Sequence, residues 1–301
     1  MRVLITGATG LVGNEIVKLC REKEILISYL TTSKSKIENN ENYKGFYWNP
    51  NTGEIDENCF ENVDVIIHLA GATIAKRWTK SYKKEILESR VKSTELIYNT
   101  LINIEHSVTQ IISASAIGVY PDSQTNYYNE DYKTHTEDSF LTKVVHVWEQ
   151  EVEAFKKLDI AVAKVRIGLV LSEKGGALPQ IIKPAKIGLA AAFGTGKQWQ
   201  SWIHITDLAR LFLYILKYHL TGVFNAVAPN AVTNRELTKT VTKILEVPYF
   251  MPNIPKFFMK LVLGEMHVLL FDSQRVSSKK IENKGFNFKF NYLEPALVDL
   301  L

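Results

Sequence analysis

Three glycines, Gly7, Gly10 and Gly13, stand at G-x-x-G-x-x-G spacing. They follow the apolar run Val3 to Ile5 and open a pattern with Val12, Ile16 and Leu19 on one helical face. Glycine at the first position permits a tight turn after a strand. The second lets a pyrophosphate approach the backbone, and the third lets helix and strand pack closely. The free N–H groups of the helix start add a partial positive charge suited to phosphate. The chemistry these residues could do is therefore the holding of a dinucleotide. The alternative is a tight strand-to-helix turn with no ligand.

The second base of such a site lies about twenty residues on, where a carboxylate would hold the ribose hydroxyls of NAD. This chain has Thr31, Thr32, Ser33 and Lys34 there, with Lys36 nearby. A carboxylate about 4 Å from a 2′-phosphate would cost roughly 4 kcal/mol per charge pair. Its absence predicts NADPH over NADH, with the hydroxyls and Lys34 at the extra phosphate. The plainer reading leaves Lys34 as a solvated loop lysine.

Elements that could position this turn recur along the chain. Apolar runs predict strands at Ile25 to Leu30, Val63 to Leu69, Ile111 to Ala114 and Ile160 to Leu171, with a further short one at Phe46 to Trp48. Helical spacing recurs at Ile86, Val91, Thr94, Ile97 and Leu101, and over Phe140 to Phe155. Strand and helix alternating, with near-continuous apolar strands, predict a parallel sheet covered on both faces. After Leu171 the glycines and prolines from Gly175 to Gly196 mark an irregular region. A helix at Ile205 to His219 and a strand at Val223 to Val227 are expected to return to the sheet. Thr233 and Glu236 form a capping box.

The fold class is thus α/β: a doubly wound parallel sheet over residues 1–171, rejoined by 204–227, with a smaller lobe within 172–301. The 301 residues suit one large domain with a small lobe. Lys plus Arg number 36 against 32 Asp plus Glu, a net charge of +4, and no basic stripe points to nucleic acid. Cys20 and Cys59 lack metal-site spacing, and Cys20 falls on an apolar helix face as a core thiol. No metal and no membrane partner is expected, and a reduced cytoplasm is the simplest compartment. The most apolar stretch, Ile254 to Phe271, is interrupted by charges and reads as a buried or amphipathic helix.

Thr6 to Gly13, with His68-Leu69-Ala70-Gly71 ending a later strand, resembles the extended short-chain dehydrogenase/reductases. More narrowly, the chain is similar to an atypical epimerase-like subfamily within the NAD-dependent epimerase/dehydratase superfamily. That match is carried by Lys76-Arg77-Trp78-Thr79, Ser89-Arg90-Val91, Ser113 to Gly118, Gln198 to His204 and Gly264-Glu265-Met266. Residues 250–301 resemble the uncharacterised C-terminal domain of that subfamily. The resemblance implies a Rossmann domain with a C-terminal α/β substrate lobe, NADP(H) as cofactor and a small-molecule substrate. By analogy it also implies a homodimer. Turn and resemblance together give a cofactor-binding set of Gly7, Thr9, Gly10, Leu11, Val12, Gly13, Thr32, Ser33, Lys34, Leu69, Ala70, Gly71, Arg90, Ser113 and Arg166.

The wider superfamily uses a Ser or Thr, a Tyr, and a Lys four residues after the Tyr, with the Tyr as general acid/base. Ser115 stands at the serine position and is the catalytic candidate. Phe140 or Leu141 falls where the Tyr belongs, and Val144 or Val145 where the Lys belongs. None of the 13 tyrosines has a lysine four residues on. Tyr120, Lys143 and His146 are replacements by proximity in sequence, each with a plainer structural reading.

Arg77, Trp78 and Arg90 fall near the carboxyl edge, where an arginine can clamp a phosphate or carboxylate, or pair with Glu88 or Glu95. Trp202 and His204 are the substrate-binding candidates, beside Trp199, Asp207 and Arg210. Core packing of the tryptophans is the competing reading. Arg166 and Gly168 are expected near the nicotinamide end. Glu130, Asp131, His135 and Glu137 read as a solvated polar loop. Two functions compete: an epimerase-like NADP(H) oxidoreductase, and an NADP(H)-binding sensor without turnover.

Overall fold

The computed structural model describes residues 1–133 and 139–301, so His135 and Glu137 lie outside the described residues. The Arg2–Thr6 strand, whose Val3, Leu4 and Ile5 are fully buried, sits inside a nine-stranded sheet. On one side it pairs in parallel with Leu26–Thr31, followed by Tyr43–Asn49. On the other side come Val65–His68, Gln110–Ala116, Ala161–Ile167 and Gly222–Ala226, all parallel. Two-residue pieces, Asn39–Asn40 and Glu54–Ile55, pair antiparallel with Tyr43–Asn49. The apolar runs become strands because, with helices on both faces, alternate residues cannot turn to water.

Helices α1 (Leu11–Glu22) and α5 (Ile205–Lys217) pack together, as do α2 (Lys80–Asn103) and α3 (Phe140–Glu153). Cys20 lies buried on the α1 face, and burial pushes its thiol up to about 12. Chain order reverses beside Arg2–Thr6, whose neighbours are the second strand and Val65–His68. This switch point opens a crevice outside the strand ends, the usual ligand position in such sheets.

The single strand expected over Ile160 to Leu171 is two strands. Ala161–Ile167 stays in the main sheet, while Leu169–Leu171 pairs with Trp202–His204. Gly168 is the reason. A Cβ there would lie 2.2 Å from the Ser201 carbonyl oxygen and 2.7 Å from Val227 Cγ1. Its N–H bonds the Ala226 carbonyl and the Leu169 N–H bonds that of Ser201, so the chain hands itself from one sheet to the other.

Beyond this crossing, α4 (Leu178–Lys186), α6 (Asn234–Ile244) and the Leu293–Leu300 helix enclose a second core around Trp202, Leu237 and Leu297. The capping box at Thr233 and Glu236 forms and starts α6. The apolar stretch near Ile254 to Phe271 is not one buried helix. Helix α7 (Lys256–Leu263) buries no residue and ends at Gly264, whose φ of +61° is left-handed. Among the described residues no helix is long and apolar enough to cross a membrane.

Gly168→Ala is expected to cost about 1–3 kcal/mol by overpacking, lowering the thermal midpoint by a few degrees. An unchanged midpoint in a melting experiment would contradict the crossing described.

Candidate functional site: a groove at the strand ends

The crevice floor is set by a buried network around His68. The Thr6 hydroxyl oxygen accepts from the Leu69 and Ala70 N–H groups, each at 3.0 Å. Its own proton therefore goes to His68 Nδ1, 2.9 Å away. His68 Nε2 carries the ring proton and donates to Thr94 Oγ1 at 3.1 Å. Thr94 donates in turn to the Arg90 carbonyl at 2.7 Å. This chain ties the first strand, the Leu69–Ala70–Gly71 floor and α2 together. Burial, then the positive Arg90, pushes His68 from 6.5 down to about 4. A proton on Nδ1 would face a hydroxyl already committed as donor.

Above this floor the glycine turn takes the form its spacing predicts. Gly7 has φ +70°, and a Cβ on Gly13 would lie 2.2 Å from the Gly7 carbonyl oxygen. No side chain caps α1, whose N-cap is Gly10, and its first turn holds no acidic residue. Free N–H groups in a glycine cradle fit a pyrophosphate.

The groove has two halves that share Gly7, Gly71 and Ala72. The first, about 630 Å³, is lined by Thr9, Thr31, Thr32, Ser33, Lys36, Ala70 and Trp48 to Asn51, with Lys84, Glu85, Glu88 and Ser89 from α2. The second, about 380 Å³, is lined by Gly10 to Gly13, Leu69, Ile74, Ile86 and Arg90, with Leu141, Val144, Val145 and Trp148 from α3. It is an apolar chamber. Its only ionisable side chain among the described residues is Arg90. Leu141, Val144 and Val145 thus present hydrocarbon to the chamber.

Of the cofactor set, Lys34, Ser113 and Arg166 stand apart from this groove. The Lys34 ammonium lies over the Tyr47 ring at 4.8 Å, while Lys36 lines the first half in its place. The Tyr29 hydroxyl sets this arrangement by donating to the Lys36 carbonyl and accepting from the Glu38 N–H, both at 2.7 Å. Ser113 is buried inside the sheet. Arg166 forms a fork on Glu149 at 2.8 and 2.9 Å and reaches Tyr120 Oη at 3.0 Å.

Ser115 belongs to the same cluster: its hydroxyl donates to Glu149 at 2.6 Å rather than into the groove. Burial works against the Glu149 charge, but the Arg166 fork and the Ser115 hydroxyl outweigh it and hold the carboxyl below its ordinary value. Tyr120 also donates to Asn225 at 2.8 Å, and burial raises its pKa. Neither Tyr120, Lys143 nor His146 lines either half of the groove.

Trp202 and His204 lie in the lobe core instead of a cleft. The Trp202 indole donates to the Asn230 carbonyl at 2.9 Å. His204 caps α5 by accepting the Thr206 N–H at Nδ1, and its ring lies against Phe290 at 4.1 Å. Its Nε2 is 3.3 Å from the Asp299 carboxylate but too misaligned to bond it. Asp207 accepts from the Lys289 and Phe290 N–H groups at 2.9 and 2.8 Å and also holds Arg210. These residues clamp the C-terminal segment to α5. The ion pair weighed for Arg90 with Glu88 or Glu95 does not form: Glu88 takes Lys84 and Lys92. Trp78 is buried, donating to the Ile74 carbonyl and packing on Phe140 at 5.2 Å.

The NAD dependent epimerase/dehydratase family matches residues 3–226, and a domain of unknown function, DUF1731, matches residues 254–300. The chain belongs to the NAD dependent epimerase/dehydratase family. It is 36% identical over 299 residues to an epimerase family protein of Staphylococcus haemolyticus, covering 99% of this chain and 98% of that one. The crystal structure of human epimerase family protein SDR39U1 with NADPH superposes with a TM-score of 0.85 at 25% identity, covering 100% of this chain and 99% of the human one. The nucleoside-diphosphate sugar epimerase of Corynebacterium glutamicum gives 0.79 at 28% identity, over 100% of this chain and 58% of that one. The Rossmann-like α/β sheet is therefore the fold of this family.

Trp148 and Lys36 are among the groove residues that the sequence-based site set lacks. Trp148 shares a helical stripe with Leu141, Val144 and Val145, a spacing indistinguishable from core packing. Lys36 was visible only as a neighbour of Lys34. His68 carries a testable consequence. Between about pH 4 and 6.5 the unfolded chain binds a proton that the folded chain refuses, so stability rises with pH across that window. On the order of 3 kcal/mol is at stake. Urea unfolding of wild type and His68→Gln at several pH values should show this slope shrink in the variant. Parallel slopes would contradict it.

Proposed function

We propose that the protein is an NADP(H)-binding oxidoreductase of the epimerase-like kind, acting on a small molecule. The observation that carries the cofactor choice is the tip of the second strand. Thr31, Thr32, Ser33 and Lys36 line the first half of the groove there, and that tip offers it no carboxylate. The NADPH in the human relative supports the same choice. NADPH, when bound, supplies the hydride. The chain's own part is to seat the pyrophosphate on the uncapped start of α1, to place the 2′-phosphate against Ser33 and Lys36, and to wall the reacting end with Leu141, Val145 and Trp148.

A second reading rests on a different observation. Among the described residues the lining of the apolar chamber offers no side chain that gives or takes a proton at neutral pH, and general acid/base help is typically worth about 100- to 10,000-fold. On that reading the protein binds NADP(H) and reports its redox state without turning it over. Steady NADPH consumption in a carbonyl and sugar-nucleotide screen would exclude the sensor; tight stoichiometric binding with no consumption would favour it.

NADPH is expected to bind more tightly than NADH in a fluorescence titration. Lys36→Ala should weaken NADPH by about 10- to 100-fold, the range of a charge-assisted hydrogen bond, and leave NADH within twofold. Equal dissociation constants for the two nucleotides would refute the cofactor choice.

A further inference from the structure

Helix α7 carries mostly apolar residues, yet none of its eight side chains is buried. Phe257 and Leu261 are 76% and 77% exposed, and Phe258 and Val262 are half exposed. Their spacing puts these four on one stripe of the helix. Met259 and Leu263, on the other side, are partly buried, so the stripe is turned away from the lobe. The surface continues beyond the helix. Phe193 and Ile254 form a parallel bridge, in which the Gly194 N–H donates to the Ile254 carbonyl and the Ile254 N–H to the Ala192 carbonyl, both at 2.8 Å. Four residues before each bridge partner stand Leu189 and Phe250, both exposed. Large apolar side chains left in water in such number mark an interaction surface.

The charges around it have one sign. The two segments that meet at the bridge, 174–206 and 247–264, contain no Asp or Glu, in a chain that has 32. They hold Lys174, Lys183, Lys186, Lys197, Lys256 and Lys260, all exposed. Among the described residues none of these six is held in an ion pair, whereas Lys243 and Lys289 of the same lobe take Glu294 and Asp299. The half-buried Asp272 lies within the field of Lys256 but outside bonding distance.

Shape and charge together select the occupant. A second copy meeting this face about a two-fold axis would set lysine against lysine, with no carboxylate from either segment. A peptide needs a groove, and α7 stands out from the lobe; neither half of the groove includes an α7 residue. A protruding apolar stripe edged by lysines suits a layer with hydrocarbon below and negative charge at its surface.

We propose that α7 and the lysines beside it dock the protein on an anionic phospholipid bilayer. Phe257 and Leu261 enter among the headgroups, and the lysines lie against the phosphates. The helix lies in the surface without spanning it; among the described residues no helix is long and apolar enough to cross. The expectation of no membrane partner rested on spanning length alone, and the exposure of α7 is visible only in the fold. The docking face is separate from the nucleotide groove and does not depend on the cofactor reading.

The test is co-sedimentation of the full chain with vesicles of phosphatidylglycerol and phosphatidylcholine in equal parts, and with vesicles of phosphatidylcholine alone. Wild type should partition onto the mixed vesicles at low salt, bind phosphatidylcholine about tenfold more weakly, and dissociate as salt is raised. Phe257→Ser with Leu261→Ser should weaken binding by about tenfold or more, and Lys256→Gln with Lys260→Gln by about tenfold. Val298→Ser, at an exposed apolar side chain on the Leu293–Leu300 helix, should bind as wild type. All three variants should keep the wild-type melting temperature, because none of the replaced side chains is buried. No partition onto the mixed vesicles, equal binding to both vesicle types, or binding that neither α7 variant weakens would overturn the proposal. A dimer seen by light scattering and abolished by Phe257→Ser with Leu261→Ser would assign the face to a second copy and overturn it as well.

Discussion

The donor–acceptor chain from Thr6 through His68 and Thr94 to the Arg90 carbonyl is the constraint on which the groove depends. Each hydroxyl in it has one proton to give, and each is already assigned. The Thr6 oxygen must accept from two floor amides, so its proton points to His68. That fixes the histidine tautomer and its neutrality. It also fixes where α2 lies relative to the first strand. Because α2 carries both Ser89, which accepts the Ala72 N–H at 2.9 Å, and Arg90, the same chain sets the wall of both halves of the groove.

What the fold builds on this base is asymmetric. The half beside the second strand is polar, with hydroxyls and Lys36 at the strand tip and Lys84, Glu85 and Glu88 from α2. Among the described residues the half beside α3 is lined mainly by apolar side chains, with Arg90 as its one ionisable group. The serine expected to act there is turned to Glu149 instead, as part of a buried Arg166–Glu149–Ser115 cluster between sheet and α3. That cluster does structural work: its charges are matched, and removal of either partner would strand the other in a poorly hydrated site. The family's Rossmann-like sheet is thus retained, and the α3 positions Leu141, Val144 and Val145 face the groove with apolar side chains.

Much of this was legible in the sequence, and the failures share a cause. The strands could be read because a parallel sheet buried on both faces demands continuous apolar runs. The glycine turn could be read because Gly7 and Gly13 answer to local geometry, a left-handed φ and a helix pressed onto its own turn. The capping box at Thr233 is likewise local. The break at Gly168 was not legible, since it depends on the Ser201 carbonyl more than thirty residues on. The exchange of Lys34 for Lys36 depends on a tyrosine hydroxyl, that of Tyr29, seven residues back on the strand that leads into this segment. Trp202 and His204 looked like cleft residues among glycines, yet they pack against the chain's last helix and its approach. Local rules read well from sequence. The choice of which face or which lysine meets a cavity is made by tertiary hydrogen bonds and packing that no local pattern records.

The central claim is that the groove floored by His68 and the glycine turn seats NADPH in an extended pose across both halves. A crystal structure of the protein grown with NADPH tests this most directly. The account predicts the pyrophosphate on the α1 amides beside Gly10, the 2′-phosphate against Ser33 and Lys36, and the nicotinamide ring among Leu141, Val145 and Trp148. A nucleotide bound elsewhere, or a 2′-phosphate facing solvent away from Lys36, would contradict it.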